Sequence, residues 1–201
     1  MSEAKETILA AIRQNRPAAV AHPPLRDFGR SGVEGDPLET FKKNLKTASG
    51  SYYDVKDADE AQWLLKQIHP DAKVICSVVP EIEGNRIIAA AVDPHSLEDI
   101  EVGVTRAKFG VAENGAVWLA QDDLVVDALG FLSQHLIILL DPEAIVIHVH
   151  EAYKRVDISM QNYGCFMMGP SATADISAVH ISGAQGARSL NLFFIKLGHT
   201  A

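Results

Sequence analysis

The stretch "HLIILL", residues 135–140, runs through five consecutive apolar residues after its leading histidine. A strand with one wetted face alternates polar and apolar side chains. An unbroken run of this length instead belongs to a strand covered on both faces. "KVICSVV" (73–79) has nearly the same character, and "YGCFMMG" (163–169) and "SLNLFFIK" (189–196) complete a set of strand candidates. The segments between several of them carry helical spacing. Strands alternating with helices predict an α/β fold: a mostly parallel open sheet with flanking helices. A chain of 201 residues, 47% hydrophobic and 22% charged, is long and apolar enough to fill such a core.

The helices announce themselves by their starts. In Asp36-Pro37-Leu38-Glu39, Asp36 can cap, Pro37 suits the first helical position and Glu39 can reach back to the cap amide. Leu38, Phe41, Leu45 and Ala48 then form one stripe. After "SYYDV", a short strand candidate, Asp57 opens a helix whose Ala58, Ala61, Leu65 and Ile68 repeat until Pro70 stops it. Asp141-Pro142 is read as the start of another, with Ile145, Val149, Ala152 and Val156 on one face. "RIIAAAV" (86–92) is a further strand candidate or a short element beside the sheet.

Residues 2–15 suit an amphipathic helix with Ala4, Ile8, Ala11 and Ile12 on its stripe. The following "RPAAVAHPPLRDFGRSGVEGD" has no periodicity and reads as a linker or extended arm. Residues 1–35 are thus set apart from a domain over 36–201. Such an arm can cover a partner or a neighbouring subunit, which leaves a homo-oligomer open, or it can equally be a disordered leader.

A formal net charge of −8 argues against a nucleic-acid footprint, and an anionic ligand would need a local positive site. Cys76 and Cys165 belong to no Cys-x-x-Cys pair, so the chain has no iron–sulfur or zinc signature of its own; buried free thiols are expected. The amino terminus lacks a signal-peptide core, and no apolar stretch approaches a membrane span, so a cytoplasmic protein is expected.

Three segments carry candidate chemistry. In "FGVAENGAVWLA" (109–120) two apolar runs flank Asn114-Gly115, the strongest short hairpin signal, so one part of the sheet is expected to be antiparallel. Glu113 is then the last strand residue before a two-residue turn, committed to one face. If that face lines a cleft, Glu113 suits acid, base or nucleophile work; otherwise it is an exposed or capping carboxylate. In "GPSATADIS" (169–177), expected to open a short helix after a buried strand, amides from Ser171 to Ala174 and the hydroxyls of Ser171 and Thr173 could receive a phosphate or carboxylate. Gly169 begins the segment, and Asp175 would orient the hydroxyls or favour the helix start. In "SGAQGARSLNLFFI" (182–195), Gly183 and Gly186 permit sharp turns and Arg188 supplies a cation before the last strand. The plainer reading is a glycine-rich connection with a surface arginine.

The histidines offer less. His148 and His150, on a helix starting at Pro142, would lie about 200° apart and so could not share a metal. His135 heads a buried strand and is read as a satisfied core histidine. His180 sits near the glycine loop. Gly-x-Gly-x-x-Gly, phosphate-loop and nucleophile-elbow motifs are all missing from the sequence.

"GVTRAKFGVAENGAVWL" (103–119), "HLIILL" (135–140) and "GPSATADISAVHISGAQGARSLNLFFI" (169–195), in this order, resemble the LUD-domain family, the lactate-utilisation proteins of the C type. "GPSATADI" is the most specific piece; residues 36–100 fit by the order of helices and strands. The resemblance implies a fold like that of the NagB/RpiA/CoA-transferase group and a LUD domain over 36–201. It also implies a role in oxidising L-lactate to pyruvate beside two partner proteins that carry iron–sulfur clusters, with no cofactor in this chain. Two departures stand out. The family usually shows Glu-Thr-Gly or Glu-Ser-Gly where this chain has Glu113-Asn114-Gly115. It usually shows Gly-x-His-Gly-Pro where this chain has Gly183-Ala184-Gln185-Gly186-Ala187. Gln185 cannot titrate near neutral pH as histidine does, though it can hydrogen-bond an oxygen.

Three functions are therefore weighed. The first is a non-redox subunit of a lactate-oxidising system, binding a small anion or a partner through 169–188. The second is a CoA-transferase-like enzyme in which Glu113 attacks an acyl-CoA. The third is a regulatory module that senses a small carboxylate or phosphate. All three expect the segments around 113, 171 and 185 to converge at one rim of the sheet.

Overall fold

The computed structural model describes residues 3–18, 20, 35–156, 162–174, 179, 181–184 and 186–196. Asp175, His180 and Gln185 lie outside the described residues.

The apolar runs pair side by side into a five-stranded, wholly parallel sheet. Its strands are β1 (Ser51–Asp54), β2 (Ile75–Ser77), β3 (Val102–Arg106), β6 (His135–Leu140) and β11 (Ser189–Phe194), in the order β1-β11-β6-β3-β2. The last of the described strands therefore lies between the first and β6. Both faces are covered, which is why the runs are unbroken. Leu136, Ile138 and Leu140 pack on one side with Phe41 and Leu45 of α2 (Pro37–Thr47); Ile137 and Leu139 pack on the other with Ala61 and Leu65 of α3 (Ala58–Ile68). Each of these fully buried leucine and isoleucine side chains contributes about 1.5–3 kcal/mol before chain entropy is counted.

A second, mixed sheet lies across α2: β4 (Phe109–Val111), β5 (Ala116–Ala120), β7 (Ile145–Val146) and β8 (Gly164–Met167), in the order β7-β4-β5-β8. Its inner residues Val117 and Leu119 join the core under α2. Its outer Phe109, Val111 and Trp118 pack with Ala152 of α6 (Val149–Arg155). The caps form as their sequences require: the Asp36 carboxylate accepts the Leu38 amide and the Asp57 carboxylate accepts the Glu60 amide. Glu39, expected to reach back to its cap, instead pairs with Lys42 at 3.6 Å. The amino-terminal helix α1 (Glu3–Gln14) is exposed along its described side chains. Among the described residues no helix is long and apolar enough to cross a membrane.

Three local expectations are corrected. "RIIAAAV" forms no strand; Ile87 is 93% exposed and nothing pairs this backbone into a ladder. Asp141-Pro142 starts only one 3-10 turn, Pro142–Ala144, because Ile145 and Val146 pair with Gly110 and Val111 as β7. The α-helix begins later, at Val149. The hairpin loop has four residues, 112–115, between the last pair Val111 and Ala116, so Glu113 is a loop residue and not the end of a strand.

Candidate functional site

The hairpin loop explains its own sequence. The Gly115 amide donates to the Val111 carbonyl at 2.9 Å, and the Ala116 amide donates to Asn114 Oδ1 at 3.0 Å. Gly115 has φ +69°, and a Cβ there would lie 2.3 Å from the Leu45 nitrogen, so the loop fits over α2 only with glycine. Asn44 Nδ2 fastens the loop from below, donating to the carbonyls of Ala112 at 2.8 Å and Glu113 at 3.0 Å.

The Glu113 carboxylate turns to α6. It accepts the Val149 amide at 3.1 Å and meets His148 Nδ1 at 3.0 Å, while the Glu113 amide donates to the Ile147 carbonyl. His148 is the residue preceding α6 and gives that helix no side-chain cap, so Glu113 supplies the acceptor from 36 residues away, at the end where a negative charge is favoured. His148 is thus not on the helix, and His150 is exposed. Among the described residues no group of three or more His, Cys, Asp or Glu side chains is placed to hold a metal ion.

Among its described residues, 168–174, the segment after β8 shows no helix. Ala172–Thr173 form β9, paired antiparallel with β10, Ile181–Ser182. The ladder wins over the helix start because two strands answer each other's backbone groups. The anion cradle expected from free helix-start amides is accordingly missing at Ser171: its amide donates to the Ala187 carbonyl at 2.9 Å, and its own carbonyl accepts the Gly183 amide at 2.8 Å. Thr173 is half-buried in β9. The two glycine-bearing segments do come together, since a Cβ on Gly186 would lie 3.1 Å from Ser171 Cβ. Arg188 donates its amide to Gln134 and lies along Gly183, with its side chain exposed. Gly169 (φ +64°) rests on the end of α2, where a Cβ would fall 1.9 Å from the Ala48 carbonyl oxygen. Gly115 and Gly169 therefore lie along the same helix.

A cleft of about 390 Å3 opens where these segments meet, between β8 and α5 (Leu129–Leu132). Phe131, Tyr163, Phe166 and Met167 give it an apolar wall, with Gly169, Ser171 and Gly186 along the rim. Burial, with a hydrogen bond to Cys165, pushes the Tyr163 hydroxyl up to about 12; burial also pushes the Cys165 thiol up. Both are neutral at pH 7, so the cleft offers shape and hydrogen bonds rather than a charged nucleophile. The Gly183–Arg188 loop feeds the amino end of β11, and β8 belongs to the mixed sheet, so the site is not at the carboxyl ends of the parallel strands. Gly169, Ser171, Gly183, Gly186 and Arg188 cluster; Glu113, Asn114 and Gly115 sit farther along α2, with the Glu113 carboxylate directed to α6.

Sequence reasoning passed over a second group. His135, read as a core histidine, is half-exposed in a cleft with His69, Ser189 and Asn191. The signal was present: Asn191 interrupts an otherwise apolar strand.

Parallel sheet, mixed sheet and intervening helices define an α/β domain of a known architecture. It superposes on the crystal structure of a DUF162 family protein from Deinococcus radiodurans with a TM-score of 0.57, at 17% identity, covering 86% of this chain and 99% of that one. The LUD domain family model matches residues 38–195, and the chain belongs to that family. No curated protein matches the chain.

Proposed function

We propose that this LUD-domain protein serves L-lactate utilisation as a non-redox subunit and binds a small anionic ligand through the 169–188 region. The observation that carries this reading is the family match over 38–195, a family whose name supports a lactate-related role in general. The cysteines fit a division of labour. Two cysteines, one buried and one half-buried, do not make the four thiolates that an iron–sulfur cluster takes, so electron transfer falls to iron–sulfur partner proteins. In the site itself Ser171 supplies a hydroxyl, Gly186 allows close approach, and Arg188 is the nearby cation.

The acyl-transfer alternative has less support. A nucleophilic carboxylate must be free to approach a thioester, and Glu113 already accepts the Val149 amide and pairs with His148. Incubation with acyl-CoA and hydroxylamine is expected to leave Glu113 unmodified; a trapped hydroxamate there would restore that reading.

The pathway is tested by deletion. Loss of the gene is expected to abolish growth on L-lactate while sparing growth on pyruvate, and tagged protein is expected to co-purify with iron–sulfur proteins. Unchanged growth on L-lactate overturns the proposal. For the site, a small carboxylate present at 100 times its Kd should stabilise the protein by about 2.7 kcal/mol, and Ser171→Ala should reduce that gain.

A further inference from the structure

The amino ends of three parallel strands begin level with one another. His135 of β6 pairs with Ser189 of β11 on one side and with Val102 of β3 on the other. Beside them, under the carboxyl end of α3, lies a cleft of about 520 Å3. Ser189 and Asn191, two residues apart on β11, face it together. His69, the residue that closes α3, reaches over from the other wall.

Four polar groups converge there. His135 Nδ1 is 2.8 Å from Ser189 Oγ; Asn191 Nδ2 is 3.4 Å from Ser189 Oγ and 3.5 Å from His69 Nε2. The two imidazole rings lie 4.4 Å apart between centroids, tilted by 33°. Asn191 is only 4% exposed and sits between buried Leu190 and Leu192. Burying an amide is costly unless it is well bonded, and both of its contacts are at the long limit of a hydrogen bond. Leucine would satisfy this strand better, so packing does not account for Asn191.

The charges around the rings are mixed. The Glu101 carboxylate is held by the amides of Lys73 and Val74, and Asp71 stands at the rim. Burial, then Arg188, hold His135 below its ordinary range; burial, then His135, hold His69 down at about 4. Both rings are neutral at pH 7 and each retains a nitrogen able to take a proton.

We propose that this cleft is a binding site for a small carboxylate, received by the Asn191 amide and the Ser189 hydroxyl. The carboxylates of Glu101 and Asp71 on its wall repel a phosphate dianion more strongly than a monoanion. Among the described residues no third His, Cys, Asp or Glu is placed to join the two imidazoles on a metal ion. The bound carboxylate favours a protonated imidazole opposite it, so binding brings a proton from solvent onto His69 or His135. Affinity then tightens as pH falls, by at most about tenfold per pH unit. The site is separate from the 169–188 cleft, because neither Ser171 nor Gly186 lines it.

The test titrates acetate, and separately inorganic phosphate, into the full chain between about pH 5 and pH 8, by calorimetry in buffers of different ionisation heat and by NMR of the histidine rings. Expected are movement of the His69 and His135 ring signals, uptake of close to one proton, and tightening as the pH is lowered. Asn191→Leu should weaken acetate at least tenfold with the thermal transition retained. Should that variant fail to fold, His69→Gln should still bind acetate while losing much of the proton uptake. Unmoved ring signals throughout the acetate titration overturn the proposal. So does binding of phosphate in place of acetate, or ring signals that respond only to Zn2+. Acetate shifts at the Ser171 and Gly186 amides without ring movement would assign binding to the other cleft and equally overturn this one.

Discussion

Gly169 and His69 show how single positions carry the fold and its pH response. Gly169 is in the left-handed region with a carbonyl oxygen where a Cβ would stand, so alanine brings both backbone strain and a clash with the end of α2. Gly169→Ala is expected to cost about 2–4 kcal/mol, read as a lower urea midpoint. His69 acts through its proton. Its value of about 4 lies below the ordinary 6.5, so the unfolded chain takes up a proton first as pH falls. The stability it allows is full above about pH 6.5 and declines as pH drops from there towards 4. Urea unfolding across that window should show the decline, and His69→Gln should flatten it. A loss of stability on raising pH through the same window would contradict the assignment.

At the scale of elements, strands covered on both faces were readable because burial leaves an unbroken apolar run: "HLIILL" is β6 over its whole length. Elements made by a partner were not. Ile145 and Val146 carry helical spacing with Val149 and Ala152, yet a ladder with β4 makes them a strand, and the spacing holds only from Val149 onward. Asn114-Gly115 announced a turn but not its length. Capping was one of the two readings of Glu113, but which helix it serves could not be read locally, because that helix starts 36 residues later in the chain. Asn191 was the converse case: an amide inside "SLNLFF" was visible, and only the neighbouring His69 and Ser189 give it a context. Glu113→Ala should remove the acceptor at the start of α6, costing about 0.5–2 kcal/mol. Hydrogen exchange should then quicken at Val149–Ala152 while the β6 amides stay protected. Unchanged exchange in α6 would mean that the contact contributes nothing there.

For the whole molecule, the described part of the amino-terminal segment stands outside the packed layers. Ile8 is 59% and Ile12 61% exposed, so α1 keeps an apolar stripe that the domain does not bury. Deleting residues 1–18 should therefore move the thermal midpoint by less than about 2 °C; a larger drop would show that the helix docks on the domain. The placement of β11 has a different consequence. Ser51 pairs with Asn191, across 140 positions of chain. Until β11 has been synthesised, β1 has no neighbour and β6 presents a bare apolar margin to whatever else is in solution. A chain cut before Ser189 would be not a slightly trimmed domain but an adhesive one, and assembly of the sheet must wait on β11.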